Sequence, residues 1–341
     1  MSFIIPKKPQ ILYAPMLGSL GGGSVRGFGR GVGGGIFYDF TNASFRHPSG
    51  YTVGGSNGRF GPTLAQVRNG LSGTGVSTWS NNTAFLSVST YGAITWQVPH
   101  TGSFTLEALG AKGGHPSGRS GYGARAKGIY DLTAGEYLIL LVGHKGSNNN
   151  GGAGGGGSFI IRSSTGQPLV VAGGGGGSGA GGGNSGNTSD ANNYATGQST
   201  TDGSDSSTYG SDPRGAGGFS GFAGNVVSTA GPYWGGAGAG WKNHEAPTAY
   251  NSAQGARGAT HSVTPGWGGQ GFSNNSPGGF GGGGGGGEWG AGGGGGYSGG
   301  GASNKHAPGG GGGSYTESSG IVRSITENWT TNDGQIDITA S

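Results

Sequence analysis

Seven histidines (His47, His100, His115, His144, His244, His261 and His306) are the side chains best suited to proton or metal chemistry, and their spacing supports neither. They stand singly, with no His-Glu-x-x-His pair to set two imidazoles on one helix face. His244 beside Glu245 reads as two neighbours in a solvated loop and not as an acid–base couple. Cysteine is absent, which removes thiolate nucleophiles and disulfide staples together. No Gly-x-Ser-x-Gly elbow falls between a strand and a helix. Asp202, Asp205 and Asp212 carry oxygen ligands that suit calcium, but without the spacing of an EF-hand loop. Gly-x-Gly-x-x-Gly strings recur throughout and carry no information in a chain with 91 glycines. We expect no enzymatic activity, no metal site and no cofactor.

Binding is the chemistry the residue types favour. Aromatic side chains make up 10% of the chain, and many stand in glycine-rich or polar stretches. Rings on loops supply contact area at small entropic cost and stack on sugar faces or fill pockets on proteins. Tyr194, Tyr209, Tyr233, Trp234, Trp241, Tyr250 and Trp267 stand in polar excursions and are the expected surface contacts. Phe280, Trp289 and Tyr297 are embedded in glycine runs and are expected to shield backbone.

What must position those rings is glycine. Seven consecutive glycines (Gly281 to Gly287) are followed by five (Gly292 to Gly296) and five more (Gly309 to Gly313). Earlier copies stand at Gly154 to Gly157 and Gly173 to Gly177. A lone glycine run is a flexible coil, because glycine loses more backbone entropy on ordering than any other residue. Without a Cβ, however, extended threefold helices pack side by side and exchange N–H···O=C bonds. Each run supplies about two turns at roughly 3.1 Å per residue. No Gly-X-Y register survives Gly281 to Gly287, so collagen is excluded. Charged residues are only 9%, against the charge-rich composition of disordered chains. We expect a folded bundle of polyglycine helices.

Charge is uneven. Lys+Arg minus Asp+Glu is 18 − 14 = +4, and residues 1–70 hold seven bases against the single acid Asp39. The N-terminal 35 residues combine Ile11, Leu12, Tyr13, Met16 and Leu17 with Arg26, Phe28 and Arg30 in a proline- and glycine-broken stretch. Such a segment cannot build a core and is expected to be an arm docking on another protein. Sparse bases without a basic helix speak against nucleic acid. The short apolar start, broken by Pro6, Pro9 and Pro15, gives neither an export signal nor a membrane span, so synthesis in a cytoplasm and no membrane insertion are expected.

Period-two patterns predict strands at Ile36 to Phe40, Thr83 to Thr90, Ala93 to Val98, Ser103 to Leu109, Ala124 to Asp131, Glu136 to Gly143, Ser158 to Ser163, Pro168 to Ala172, Gly320 to Ile325 and Gln335 to Ile338. One helix is predicted over Thr63 to Leu71, behind Pro62. Short strands at close spacing imply an all-β, jelly-roll sandwich. Its expected extent is 36–172 plus 314–341, with 173–313 inserted as the glycine-rich region and 1–35 as an extended arm.

In order, GRFGPT (Gly58 to Thr63), ITWQVPHTGSFTLEALGAKGG (Ile94 to Gly114), EYLILLVGHKG (Glu136 to Gly146), GGAGGGGSFIIR (Gly151 to Arg162), PLVVAGGGGG (Pro168 to Gly177) and GGFGGGGGGGEWGAGGGGGYSGGG (Gly278 to Gly301) carry a resemblance. The chain resembles the glycine-rich extracellular domain of anaplastic lymphoma kinase and leukocyte tyrosine kinase over roughly Gly55 to Ser341. That resemblance implies a TNF-like jelly roll with an inserted bundle of polyglycine II helices, and a homotrimer is compatible with it. The receptors' cysteines, membrane span and kinase have no counterpart here, so signalling does not carry over. In logic the chain is also similar to host-range adhesins of phage long tail fibres, and ILYAPMLGSLGGGSVRGFGRG resembles N-terminal segments of glycine-rich phage proteins. These imply a virion protein, a tail fibre or tip adhesin, whose partners are other virion proteins through the arm and a bacterial surface protein or glycan through the loops. The alternative is a capsid decoration or head-fibre protein.

Overall fold

Alternation of side chains sets the first sheet. In β5 (Gly102–Leu109), Phe104, Leu106 and Ala108 turn inward while Thr105 and Glu107 stay partly wet. β5 lies between β6 (Gly123–Leu132) and β12 (Gln335–Ala340), whose Ile336 and Ile338 sit opposite Ala108 and Leu106. With β11 (Ile321–Thr330), β1 (Asn42–Arg46) and β2 (Ser72–Gly73) the order is β11-β6-β5-β12-β1-β2. The second sheet has the order β10 (Tyr315–Thr316), β9 (Gln167–Ala172), β8 (Ser158–Arg162), β7 (Tyr137–Leu141), β4 (Ile94–Gln97) and β3 (Leu86–Val88). Every pairing is antiparallel. The fold is an all-β sandwich.

The computed structural model describes residues 36–48, 59–90, 92–116, 120–180, 195–208, 213–226, 233–242, 266–330 and 332–341. The expected docking residues Ile11, Leu12, Tyr13, Met16, Leu17, Arg26, Phe28 and Arg30 lie outside these.

Both sheets contribute to one core, in which Phe45, Trp96, Phe104, Leu106, Leu138, Leu140, Ile160 and Val170 are buried. Tyr130 ties the sheets together by donating from Oη to the Leu169 carbonyl (2.9 Å), and burial pushes its phenol up to about 12. β8 and β9 do not alternate. Ile160 and Val170 face the main core, while Phe159, Ile161 and Val171 form a second cluster with Leu141, Trp241 and Phe280. A strand covered on both faces reads as an apolar run, and here the second cover is glycine-rich chain.

The helix forms as expected, as α1 (Leu64–Gly70), with a capping box between Thr63 and Gln66 and Val67 buried. A short α2 (Val76–Trp79) follows, which periodicity did not foresee, and it buries Trp79. The expected strand at Ile36 to Phe40 is not one; the strand begins at Asn42. Ring burial decides that segment, since Tyr38 stacks on Trp79 (5.4 Å) and Phe40 packs on Trp96 (5.2 Å). β3 is shorter than expected, with Asn82 to Phe85 forming a turn before it, and β11 runs on to Thr330.

The glycine-rich chain is buried and bonded through its backbone. Along Gly151 to Gly157, successive N–H groups point to three different neighbours in rotation. Gly151, Gly154 and Gly157 donate to Gly287, Gly284 and Gly281; Gly152 and Gly155 to Ser178 and Gly175; Ala153 and Gly156 to Ser147 and His144. The same period of three recurs where Gly174 and Gly177 donate to Gly295 and Gly292, and where Gly235, Gly238 and Trp241 donate to Ser303, Gly300 and Tyr297. The network reaches beyond 173–313: Gly143 to Gly157 and Gly110 to Gly114, which lead out of β7 and β5, are part of it. Neighbouring runs lie so close that a Cβ on Gly154 would collide with the Gly293 carbonyl.

Candidate functional site

Registry gives the glycine block two ends. Gly157 precedes β8, Gly173 follows β9 and Gly313 stands just before β10, so this end abuts the sandwich. Gly281 bonds to Gly157, and Tyr297 bonds to Gly313, which puts both at the same end. The runs then travel away together. Gly151 pairs with Gly287, Ser178 with Gly114, Ser303 with Ala291 and Gly309 with Gly177. The connections at Gly287 to Gly290 and Ser303 to Pro308, together with Ser178 to Ala180 and Tyr233 to Gly235, therefore share the far end.

That far end carries rings. Tyr233 and Trp289 are stacked with centroids 4.5 Å apart and planes 25° from parallel. Trp289 and His306 follow at 5.6 Å and 18°. Tyr233 and Trp289 are each 38% exposed, and Glu288 and Lys305 lie half-buried beside them. Backbone bonds fix each ring's base: Gly290 N–H donates to the Tyr233 carbonyl (2.6 Å) and Ala180 N–H to the Trp289 carbonyl (2.8 Å). His306 Nδ1–H donates to the Ala180 carbonyl. Trp289, expected to shield the lattice, is a surface residue because it occupies the tip of a turn and not the middle of a run.

The seven expected contact rings divide. Tyr233 and Trp234 are at the far end, exposed and half-buried. Trp241 is corrected: at 5% exposure it stacks on Phe159 (6.3 Å) inside the second cluster and cannot meet a partner first. Trp267 is half-buried near the sandwich, edge-on to Phe60 (4.5 Å) and packed against the same cluster. Tyr194, Tyr209 and Tyr250 lie outside the described residues. Phe280 is fully buried and Tyr297 stacks on Tyr315 (4.6 Å), both in the shielding role expected.

Two exposed phenylalanines form a separate feature. Phe222 N–H donates to the Phe219 carbonyl (2.9 Å) across Ser220 and Gly221, both at positive φ, giving a tight turn with rings 65% and 42% exposed at Phe219 and Phe222. Lys242 lies over Phe222 (5.4 Å) and its N–H bonds the Gly221 carbonyl (2.7 Å).

The acidic residues considered for calcium hold chain. Asp202 accepts from Ser220 N–H (3.3 Å); Asp205 accepts from Gly217 N–H (2.9 Å) and pairs with Arg214 (3.3 Å). Asp212 lies outside the described residues. Among the described residues, no group of three His, Asp or Glu is arranged to hold a metal ion.

Sequence spacing hid one cluster. His47 and His144 meet edge to face at 5.2 Å, with His144 Nε2 3.6 Å from Asp333 Oδ1. His47 Nε2–H donates to the Val142 carbonyl and His144 Nδ1–H to that of Lys145 (both 2.8 Å). Burial, and then the charge of His144, lower His47 from 6.5 to about 4. The cluster sits where β7 leaves the sandwich and enters the glycine block, so its role is at that joint. Among the described residues no helix is long and apolar enough to cross a membrane. No protein-family model matches the chain.

Proposed function

We propose that this is a virion structural protein of a tailed phage, a tail fibre or tip adhesin that attaches to the host surface through the far end of its glycine block. The sandwich is a TNF-like jelly roll in this reading, and the bonded runs are polyglycine II helices. The period-three rotation of hydrogen-bond partners supports the helices, because a threefold extended helix points successive N–H groups in three directions. One observation carries the attachment reading: aromatic and polar connections collect at the end of a buried, cross-bonded block, opposite the sandwich. A rigid base lets loops differ in sequence without refolding, and ordered rings bind without a large entropic penalty. The N-terminal arm then docks on other virion proteins, a homotrimer is compatible with the fold, and the role is binding without catalysis.

Simultaneous Tyr233→Ala, Trp234→Ala and Trp289→Ala exchange tests the reading on intact particles. Lost adsorption with normal particle yield supports attachment. Unchanged adsorption contradicts it, and fragile particles with normal adsorption point to a capsid decoration or head-fibre protein. Hydrolysis of host polysaccharide by the isolated protein would overturn the non-enzymatic assignment.

A further inference from the structure

We infer that the outer face of the first sheet, where Trp329 shares the surface with Lys127, Ser324 and Thr326, is a binding site for a neutral glycan. The site lies on the sandwich, so it goes beyond the attachment reading of the far end and does not depend on it.

A bulge argues first. Side chains alternate along β11: Ile325 packs against the main core, while Ser324 and Thr326 lie exposed opposite Lys127 and Arg125. Continued alternation would send Trp329 inward after Ile325. Instead β11 takes four steps from Thr326 to Thr330 where β6 takes two from Arg125 to Gly123, and Asn328 adopts a left-handed φ of 55°. Trp329 is thereby delivered to the outer face, 49% exposed, with the Arg125 guanidinium carbon 4.5 Å from its ring centroid. Bulges re-aim side chains at sites of function, and this one turns toward water a ring that burial alone would hide.

Openness argues second. Arg125 covers one face of the ring and is held from behind by two bonds to Glu107 (2.7 and 2.9 Å). No other ring or cation stacks on Trp329 among the described residues, so its second face is open. Lys127 Nζ, Ser324 Oγ and Thr326 Oγ1 make no hydrogen bond or ion pair among the described residues, which leaves donors and acceptors for sugar hydroxyls. The strip ends at Ile129 and Ile321, paired in register, with Ile321 63% exposed. From Arg125 to Ile129 it measures about 13 Å at roughly 3.3 Å per residue, a length that takes a short run of sugar rings.

Charge selects the class of ligand. Arg125 and Lys127 are matched by Glu107 and Asp337, which face each other in register, so no excess charge invites a polyanion. Protein interfaces are depleted of Lys, Glu and Asp at their centre, whereas these residues share the face with Trp329. The two irregularities of β11 oppose strand addition by a second copy. The negative face of an aromatic ring does suit the weakly positive C–H side of a pyranose.

The test uses the full chain and four soluble probes: hexasaccharides of α1,4-linked glucose, β1,4-linked glucose and β1,4-linked N-acetylglucosamine, and a sulfated heparin hexasaccharide. Tryptophan fluorescence and ligand-observed NMR follow each titration. The expected result is saturable binding of at least one neutral probe, with a Kd of about 1 mM or tighter. Trp329→Ala should weaken it about tenfold or more and Lys127→Ala about threefold, whereas Trp289→Ala, at the far end of the block, should leave it unchanged. Trp329→Phe keeps a ring and should stay within about threefold of the parent, which separates lost stacking from altered folding. No saturable binding to any neutral probe, tighter binding of the heparin fragment, or unchanged affinity in both Trp329→Ala and Lys127→Ala overturns the inference. So does sedimentation that shows a dimer lost in Trp329→Ala while no sugar binds, since the face is then an interface between copies.

Discussion

The two regions of this molecule are held together by opposite means. The sandwich buries Trp79, Trp96, Phe45, Phe104 and Leu106 between its sheets, and each large apolar side chain contributes about 1.5–3 kcal/mol on leaving water. In the glycine block, Gly281 to Gly287 and Gly292 to Gly296 are also buried, but they have no side chains to bury. What remains is one backbone hydrogen bond after another, each worth about 0.5–1.5 kcal/mol net. Ordering a residue's backbone costs about 1–2 kcal/mol, and glycine sits at the upper end. Bonds alone therefore leave the block short of balance. The difference teaches that the block depends on being clamped: Gly154 to Gly157, Gly173 to Gly177 and Gly309 to Gly313 each adjoin a strand at one end, and Phe280 plugs the block into the second cluster beside Phe159 and Val171.

The sharpest way to break the comparison is to give the block a side chain. Gly154→Ala drives a methyl into the Gly293 carbonyl, and the obstruction is backbone that belongs to another buried run. We expect a loss above about 4 kcal/mol, at the exceptional end for single substitutions. The control is Gly166→Asn, where φ is +64° and a Cβ meets nothing within 4 Å; chemical denaturation should detect less than about 1 kcal/mol there. Phe280→Ala comes next. It should cost about 3–5 kcal/mol and loosen the block before the sandwich, visible as earlier loss of amide protection in Gly281 to Gly296 than in β5 and β6.

Ser158 sharpens the joint itself. Its Oγ accepts from Gly143 N–H (2.9 Å) and donates to the Leu109 carbonyl (2.6 Å), linking three chain segments at zero exposure. Ser158→Ala removes both bonds, an expected cost of about 1–3 kcal/mol in equilibrium unfolding.

A pH titration probes the same joint more gently. His47 has a folded value near 4 against 6.5 unfolded, so the unfolded chain binds the proton more readily. Stability is then complete above pH 6.5 and declines as pH falls toward 4, at no more than about 1.4 kcal/mol per pH unit. The His144 charge deepens the effect and Asp333 opposes it. Melting temperatures across that range should fall in the parent and flatten in His47→Gln. A cap completes the series: Thr63→Ala removes one side of the α1 capping box, for about 1 kcal/mol by thermal unfolding.

How much was legible follows from what each element obeys. β5, β6, β8 and β12 were readable because their side chains alternate or run apolar under a simple burial rule, and α1 because Leu64, Val67 and Leu71 share one face between Pro62 and Gly70. Ile36 to Phe40 has strand composition, yet its rings are drawn into the open edge of the core instead of pairing. The site was half legible. Residue type marked the aromatics, but whether a ring ends inside or outside depends on how far it stands from a turn. Trp241 is one step past Gly240 and faces Phe159; Trp289 sits at a tip between two runs. The meeting of His47 with His144 rests on β1 ending beside the exit of β7, a tertiary fact that no local spacing encodes.

Amide hydrogen exchange resolved to single residues measures the claim on which the rest depends. If backbone bonding holds the block, Gly284, Gly287, Gly292 and Gly295, whose N–H groups donate to Gly293, Gly290, Gly152 and Gly155, should exchange orders of magnitude more slowly than a glycine peptide, within reach of the β5–β6 amides. Exchange at the free-peptide rate across those four residues, with β5 and β6 still protected, would contradict it.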